Sequence, residues 1–110
     1  MKSIEVTAIE INWQEQDLVK RHYAEHVLHQ ALSRKQLGYC DGGGMALKHP
    51  LMTTFFFVQS HLIRQARRIL EAQLKLEGRY LAGYQILQGS RQWIPCEQFK
   101  HNLLPIQAQS

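Results

Sequence analysis

Between Tyr23 and Leu32 the residues Tyr23, Ala24, Val27, Leu28, Ala31 and Leu32 recur at steps of three and four, the spacing that gathers side chains on one face of an α-helix. A helix with one apolar stripe gains most of its stability by laying that stripe on another layer, so the rest of the chain must supply a surface for it. The stripe ends near Gln36, ahead of Gly38. Its start is predicted at Trp13, because Asn12 and Glu15 have the spacing of an N-terminal capping pair. Asp17, Arg21 and Glu25 then fall at i,i+4 on the polar side, where each pair adds roughly a few tenths of a kcal/mol.

The surface comes from strands. "SIEVTAIEI" alternates, with Ile4, Val6 and Ala8 on one side and Glu5, Thr7, Ile9 and Ile11 on the other. After the helix, "LGYCDGGGMALKHP" and "LMTTFFFVQ" read as two strands of a β-hairpin joined at "KHP", since His49 before Pro50 is pushed to extended geometry. Ser60 is placed to cap a second helix with Leu62, Ile63, Ala66, Ile69, Leu70 and Leu74 on its buried stripe and Gly78 at its stop. "RYLAGYQILQ" and "RQWIPCEQF" follow as two short strands with a hairpin signal at Gly89-Ser90. The expected fold is therefore α+β: a ferredoxin-like β-α-β-β-α-β two-layer sandwich with an antiparallel sheet and an extra C-terminal strand. Residues 1–104 are expected to form one domain, and 105–110 a loose tail.

At 110 residues and 45% apolar content the chain can bury one core without staples. Two cysteines make no disulfide framework, the N-terminus lacks a signal-peptide pattern, and no run approaches the roughly 18 apolar residues of a membrane span. The expectation is a cytoplasmic protein with reduced thiols. A formal charge of +4 would favour nucleic acid if it were gathered on one face, but the 13 Lys and Arg residues are spread along the chain among acids.

The run Asp41, Gly42, Gly43 and Gly44 invites comparison with a phosphate-binding loop. Such a loop needs a Lys-Ser/Thr pair and a following helix, whereas Gly44 leads into Met45-Ala46-Leu47 and then Pro50. These residues are assigned a backbone-shaping role in a bent edge strand. Cys40, Asp41 and His49 name a thiol and a base, but nothing in the sequence marks an electropositive setting for the thiol, and no catalytic residue is assigned. Cys96 reads as a small strand residue, and Arg64, Arg67 and Arg68 as a solvated helix face. His22, His26 and His29 fall at i, i+4 and i+7, within about 60° of one another around a helix, a spacing that can chelate zinc or copper. The preferred reading is a solvated polar face opposite the apolar stripe, with no metal and no cofactor assigned.

The more informative run is Phe55-Phe56-Phe57. Successive strand residues point to opposite sides, so at least one of these rings must face away from the helices. Ile9 and Ile11 are expected to join that open face, with Trp93 nearby. An exposed apolar face of this kind implies a protein partner or a second copy of the chain. The alternative is coverage by the C-terminal segment, through Trp93 and Phe99, and a small-molecule pocket is a third option. Phe55, Phe57 and Val58 also match part of the aromatic box of RNA-recognition domains. However, Thr53 and Thr54 stand where that box has a basic residue and glycine, Ser60 replaces its last aromatic, and "AIEIN" lacks the second stacking ring.

"LGYCDGGGM", followed by a hydrophobic strand, an amphipathic helix and a "GYQIL" strand leading to "QWIP", resembles small uncharacterised bacterial proteins with a Gly-Tyr-Cys-Asp-Gly-Gly type segment in a ferredoxin-like arrangement. The resemblance spans about Trp13 to Pro95 and is similar in style to immunity and antitoxin proteins, which act by binding. Where such relatives carry a polar residue before Gly-Ser-Gly, this chain has Gly44-Met45-Ala46. With the Phe55-Phe56-Phe57 run as the motivating observation, the leading expectation is a non-enzymatic interaction module, homodimeric or bound to a protein partner, that uses the open sheet face or an edge strand. The alternative is a small-molecule binding protein or enzyme with a pocket on the sheet face of a ferredoxin-like dimer, and RNA binding ranks below both.

Overall fold

The computed structural model describes residues 2–14, 17–40, 53–76 and 81–104. Strand β1 is Ser3–Trp13, helix α1 Leu18–Arg34, β2 Gly38–Cys40 and β3 Thr53–Gln59. A 3-10 turn at Ser60–Leu62 leads into α2, Ile63–Leu76, and then come β4, Leu81–Pro95, and a short helix α3, Cys96–Asn102. The chain is thus α+β, with four strands in one sheet of order β2-β3-β1-β4 and every neighbouring pair antiparallel.

β1 runs past its expected end. Asn12 pairs with Thr53 and Gly83 instead of capping a helix, and Trp13 is still in the ladder, opposite Leu81. The cap passes to Asp17, in extended conformation, whose carboxylate accepts from Val19 N–H at 2.9 Å and Lys20 N–H at 3.4 Å. The helix that follows is also turned relative to the expected stripe. Arg21, Ala24, Glu25, Leu28, Leu32 and Ser33 are its buried residues, while Tyr23 is 63% exposed. Periodicity alone gives a stripe but not its centre; here the Thr54 hydroxyl beneath the helix lets Glu25 turn inward. The helix closes through Leu37 N–H to the Leu32 carbonyl and Gln36 N–H to the Ser33 carbonyl, both at 2.9 Å, with Gln36 in the left-handed region at φ 57°.

β2 and β3 pair as expected, Gly38 with Val58, Tyr39 with Phe57 and Cys40 with Phe56. The "KHP" connection and Gly78 lie outside the described residues. Ser60 does not cap a helix: it opens the 3-10 turn, and its hydroxyl bonds the Thr7 hydroxyl at 2.6 Å.

One face of the sheet carries Ile9, Ile11, Trp13, Phe56, Val58 and Cys40, and both α1 (Ala24, Leu28, Leu32) and α2 (Ala66, Leu70) bury their stripes on it. The expectation that Ile9 and Ile11 line an open face is therefore corrected. They share parity with Phe56, their cross-strand neighbour being Phe56 for Ile9 and Thr54 for Ile11, and that parity is the helix-covered one.

The C-terminal half also differs from expectation. Gly89-Ser90 does not reverse the chain, and there is no separate extra strand among the described residues: β4 is one strand of 15 residues, antiparallel to β1 throughout. The register instead shifts between Val6, opposite Gln92, and Ala8, opposite Leu87, so residues 88–91 bulge opposite Thr7 alone. The Ser90 hydroxyl fills the gap in the ladder by accepting from Ala8 N–H at 2.8 Å and donating to the Leu87 carbonyl. Beyond Pro95 the segment "CEQFKHN" is helical, and Phe99 drops onto a second small core with Val6, Tyr39 and Ile94, against which Ile4, Phe57 and Leu103 pack. The tail 105–110 lies outside the described residues, among which no helix is long and apolar enough to cross a membrane.

Candidate functional site: the outer sheet face and the free edge of β4

Alternation along β3 decides the phenylalanines. Phe56 is fully buried under the helices, while Phe55 and Phe57 point to the other face and are half-buried. Phe57 meets Tyr39 at 5.9 Å between ring centroids, and Tyr39 meets Phe99 edge-on at 5.6 Å. Helix α3 thus covers the Tyr39–Phe57 part of the outer face. Of the two rings expected to cover it, only Phe99 does so.

Trp93 behaves differently. It stands directly opposite Glu5 on β1, so it shares the parity of Thr7 and Ile9 and projects on the helix side of the sheet, not beside Phe55 and Phe57 as expected. It is 67% exposed. Together with Ser3, Glu5, Gln59 and His61 it lines a surface depression of about 260 Å³. Among the described residues β4 is an edge of the sheet, bonded to β1 on one side. Gln85, Gln88, Gly89, Arg91, Gln92 and Pro95 are exposed along it with Trp93.

A second cluster sits at the opposite end of β1 and was missed in the sequence. The Trp13 indole N–H donates to the Thr54 hydroxyl at 2.7 Å, and that hydroxyl donates to the Glu25 carboxylate at 3.1 Å, all buried. Arg21 is buried one turn earlier on α1. The available signal was parity: Trp13 continues the Ile9, Ile11 series and Thr54 the Phe56, Val58 series, so both had to enter the core and find partners there.

The histidine stripe does not form one site. His22 and His26 are exposed, whereas His29, expected on a solvated face, is half-buried under α3 with its ring nitrogen 3.3 Å from the Asn102 carbonyl. Burial pushes the His29 pKa below its ordinary value, the hydrogen bond to Asn102 opposes this, and nearby His26 adds to the lowering. Among the described residues no group of three His, Cys, Asp or Glu side chains is arranged to hold a metal ion. Cys40 is buried in the main core and Cys96 half-buried, and neither is in a disulfide. Cys96 opens α3 and is not the strand residue expected. Arg64, Arg67 and Arg68 are exposed on α2. Asp41, Gly42, Gly43, Gly44 and His49 lie outside the described residues.

Compared with protein-family models, curated proteins and solved structures, the chain matches none.

Proposed function

We propose that this chain is a non-enzymatic protein-interaction module, immunity- or antitoxin-like in style and cytoplasmic, that docks its partner along the free edge of β4. The observation that carries the reading is Trp93, a large ring left 67% exposed on a 15-residue strand that is bonded on one side. An edge of this kind presents a row of backbone donors and acceptors, and an adjacent aromatic ring adds apolar area, the combination used when a strand is added to a sheet. The order β4-β1-β3-β2, with α1 and α2 on one face, further supports a ferredoxin-like arrangement.

Native mass spectrometry of the gently purified protein tests the reading. An assembly of more than one polypeptide is expected, with its fraction reduced by Trp93→Ala. A single chain at every concentration, unchanged by that substitution, contradicts it.

A further inference from the structure

Toward the start of β1 the cover on the helix side of the sheet gives out. Thr7 is buried, Glu5 half-buried and Ser3 exposed, three residues of one parity. The turn before α2 stands beside this end, since the Ser60 hydroxyl is bonded to the Thr7 hydroxyl at 2.6 Å and His61 follows it. Trp93 closes the other side from β4, and the depression of about 260 Å³ is lined by both. Pockets for drug-sized ligands measure roughly 300–1,000 Å³, so this one suits a single side chain.

Glu5 and Trp93 give the depression its chemistry. Cys96 N–H donates to the Lys2 carbonyl at 3.0 Å, and bonded and non-bonded pairs alternate along an antiparallel ladder from there. Glu5 and Trp93, directly opposite each other, are thus a non-bonded pair, the kind whose side chains stand closest. Carboxylate and indole share one face with their Cβ atoms about 5 Å apart. Among the described residues no hydrogen bond or ion pair uses the Glu5 carboxylate or the Trp93 indole N–H. Gln59 gives its amide nitrogen to the Gln36 carbonyl at 2.8 Å, so its oxygen is left as a second acceptor. An electron-rich ring beside an unspent carboxylate calls for a cation, and best for a planar one that stacks and donates at once.

We propose that this depression seats the guanidinium of an arginine carried by the protein partner, stacked on Trp93 and paired with Glu5. The proposal rests on the reading of the β4 edge as the docking surface. A strand added there runs about 5 Å from β4, and its side chains of the helix-side parity come up beside Trp93. Glu5 stands one strand further, about 10 Å from the partner's Cα, and an arginine laid across the indole spans that gap with the glutamate reaching back. A lysine ammonium has the length but no plane to lay on the ring.

NMR of the full chain tests this through its two indole N–H signals, Trp93 as the reporter and buried Trp13 as the control. The probe is a short blocked peptide with one arginine among alanines, compared with the same peptide carrying citrulline, which keeps the shape and removes the charge. The expected result is a saturable shift of the Trp93 signal with Trp13 unmoved, binding at least about tenfold weaker for the citrulline peptide, and at least about fivefold weaker in Glu5→Gln. No saturable shift, equal binding of the two peptides, or binding that Glu5→Gln leaves unchanged overturns the arginine seat. Free L-arginine binding more tightly than the peptide overturns its assignment to a protein partner. Each of these failures leaves the docking reading standing where Trp93→Ala still reduces assembly in native mass spectrometry. A chain that binds the arginine peptide selectively yet stays single at every concentration overturns the docking reading and the partner with it, while the cation seat remains.

Discussion

Trp13 donates its indole N–H to the hydroxyl of Thr54 at 2.7 Å across the first and third strands of the chain, and both residues are almost fully buried. Thr54 donates its own O–H to Glu25, so one hydroxyl links a buried indole to a buried carboxylate. Thr54→Val keeps the shape and removes the hydroxyl, and it is expected to cost about 2–3 kcal/mol, because an indole donor and a carboxylate lose their shared partner. Thr54→Ser, which keeps the hydroxyl and loses a methyl, is expected to cost about 1 kcal/mol. Urea unfolding of the two variants distinguishes them; equal costs would mean that packing, not hydrogen bonding, holds the site.

Gly38 is the narrowest point of the β2–β3 pairing. A Cβ placed on it would strike the Phe57 carbonyl oxygen and come within 2.7 Å of Val58 Cγ1 and 2.9 Å of Val58 Cα. Two of these atoms are backbone and cannot swing away, so Gly38→Ala is expected to destabilise by about 2–3 kcal/mol in thermal or urea unfolding. The neighbouring turn offers the opposite change. Gln36→Gly relieves a side chain held at φ 57° and is expected to stabilise by about 0.5 kcal/mol, the gain being limited by the greater freedom of glycine in the unfolded chain.

Phe99 fastens α3 to the outer face. Phe99→Ala removes the ring that meets Tyr39 and is expected to cost about 3–4 kcal/mol, with increased binding of a hydrophobic dye as Tyr39 and Phe57 are uncovered. Dye binding equal to that of the parent would show that α3 does not cover these rings in solution.

His29 lies beneath the same helix. Its folded pKa is below the ordinary 6.5 of the unfolded chain, so the unfolded state binds more protons in the interval between the two values. Its contribution is fully present above pH 6.5 and is lost as pH falls from there to the lower folded value. The melting temperature is expected to drop between pH 7.5 and pH 5, and His29→Gln is expected to flatten that drop, read by thermal unfolding at each pH.

Much of this architecture is present in local patterns. The alternation of "SIEVTAIEI" and the Phe-rich run that became β3 mark β1 and β3, and the Ala66, Leu70 stripe of α2 faces the sheet as its spacing requires. The misses share a physical cause, namely tertiary partners that sequence distance conceals. α1 is turned because Thr54, 29 residues from Glu25, gives a carboxylate somewhere to go. Gly89-Ser90 makes a bulge instead of a hairpin because the β1 strand continues past it and Ser90 repairs the ladder. Of the candidate surface residues, parity required one ring of the Phe run to face outward, but which side α1 and α2 would cover, and hence where Ile9, Ile11 and Trp93 would point, depends on packing between elements far apart in the chain.

The free edge of β4 is the centre of this account, and amide exchange followed by NMR reads it directly. If the edge is the docking surface, the outward amide of Trp93 exchanges at least about tenfold more slowly in the assembled protein than in the isolated chain, while the Gln92 and Ile94 amides, which face β1, stay protected in both. Exchange of Trp93 at the same unprotected rate in both would contradict it.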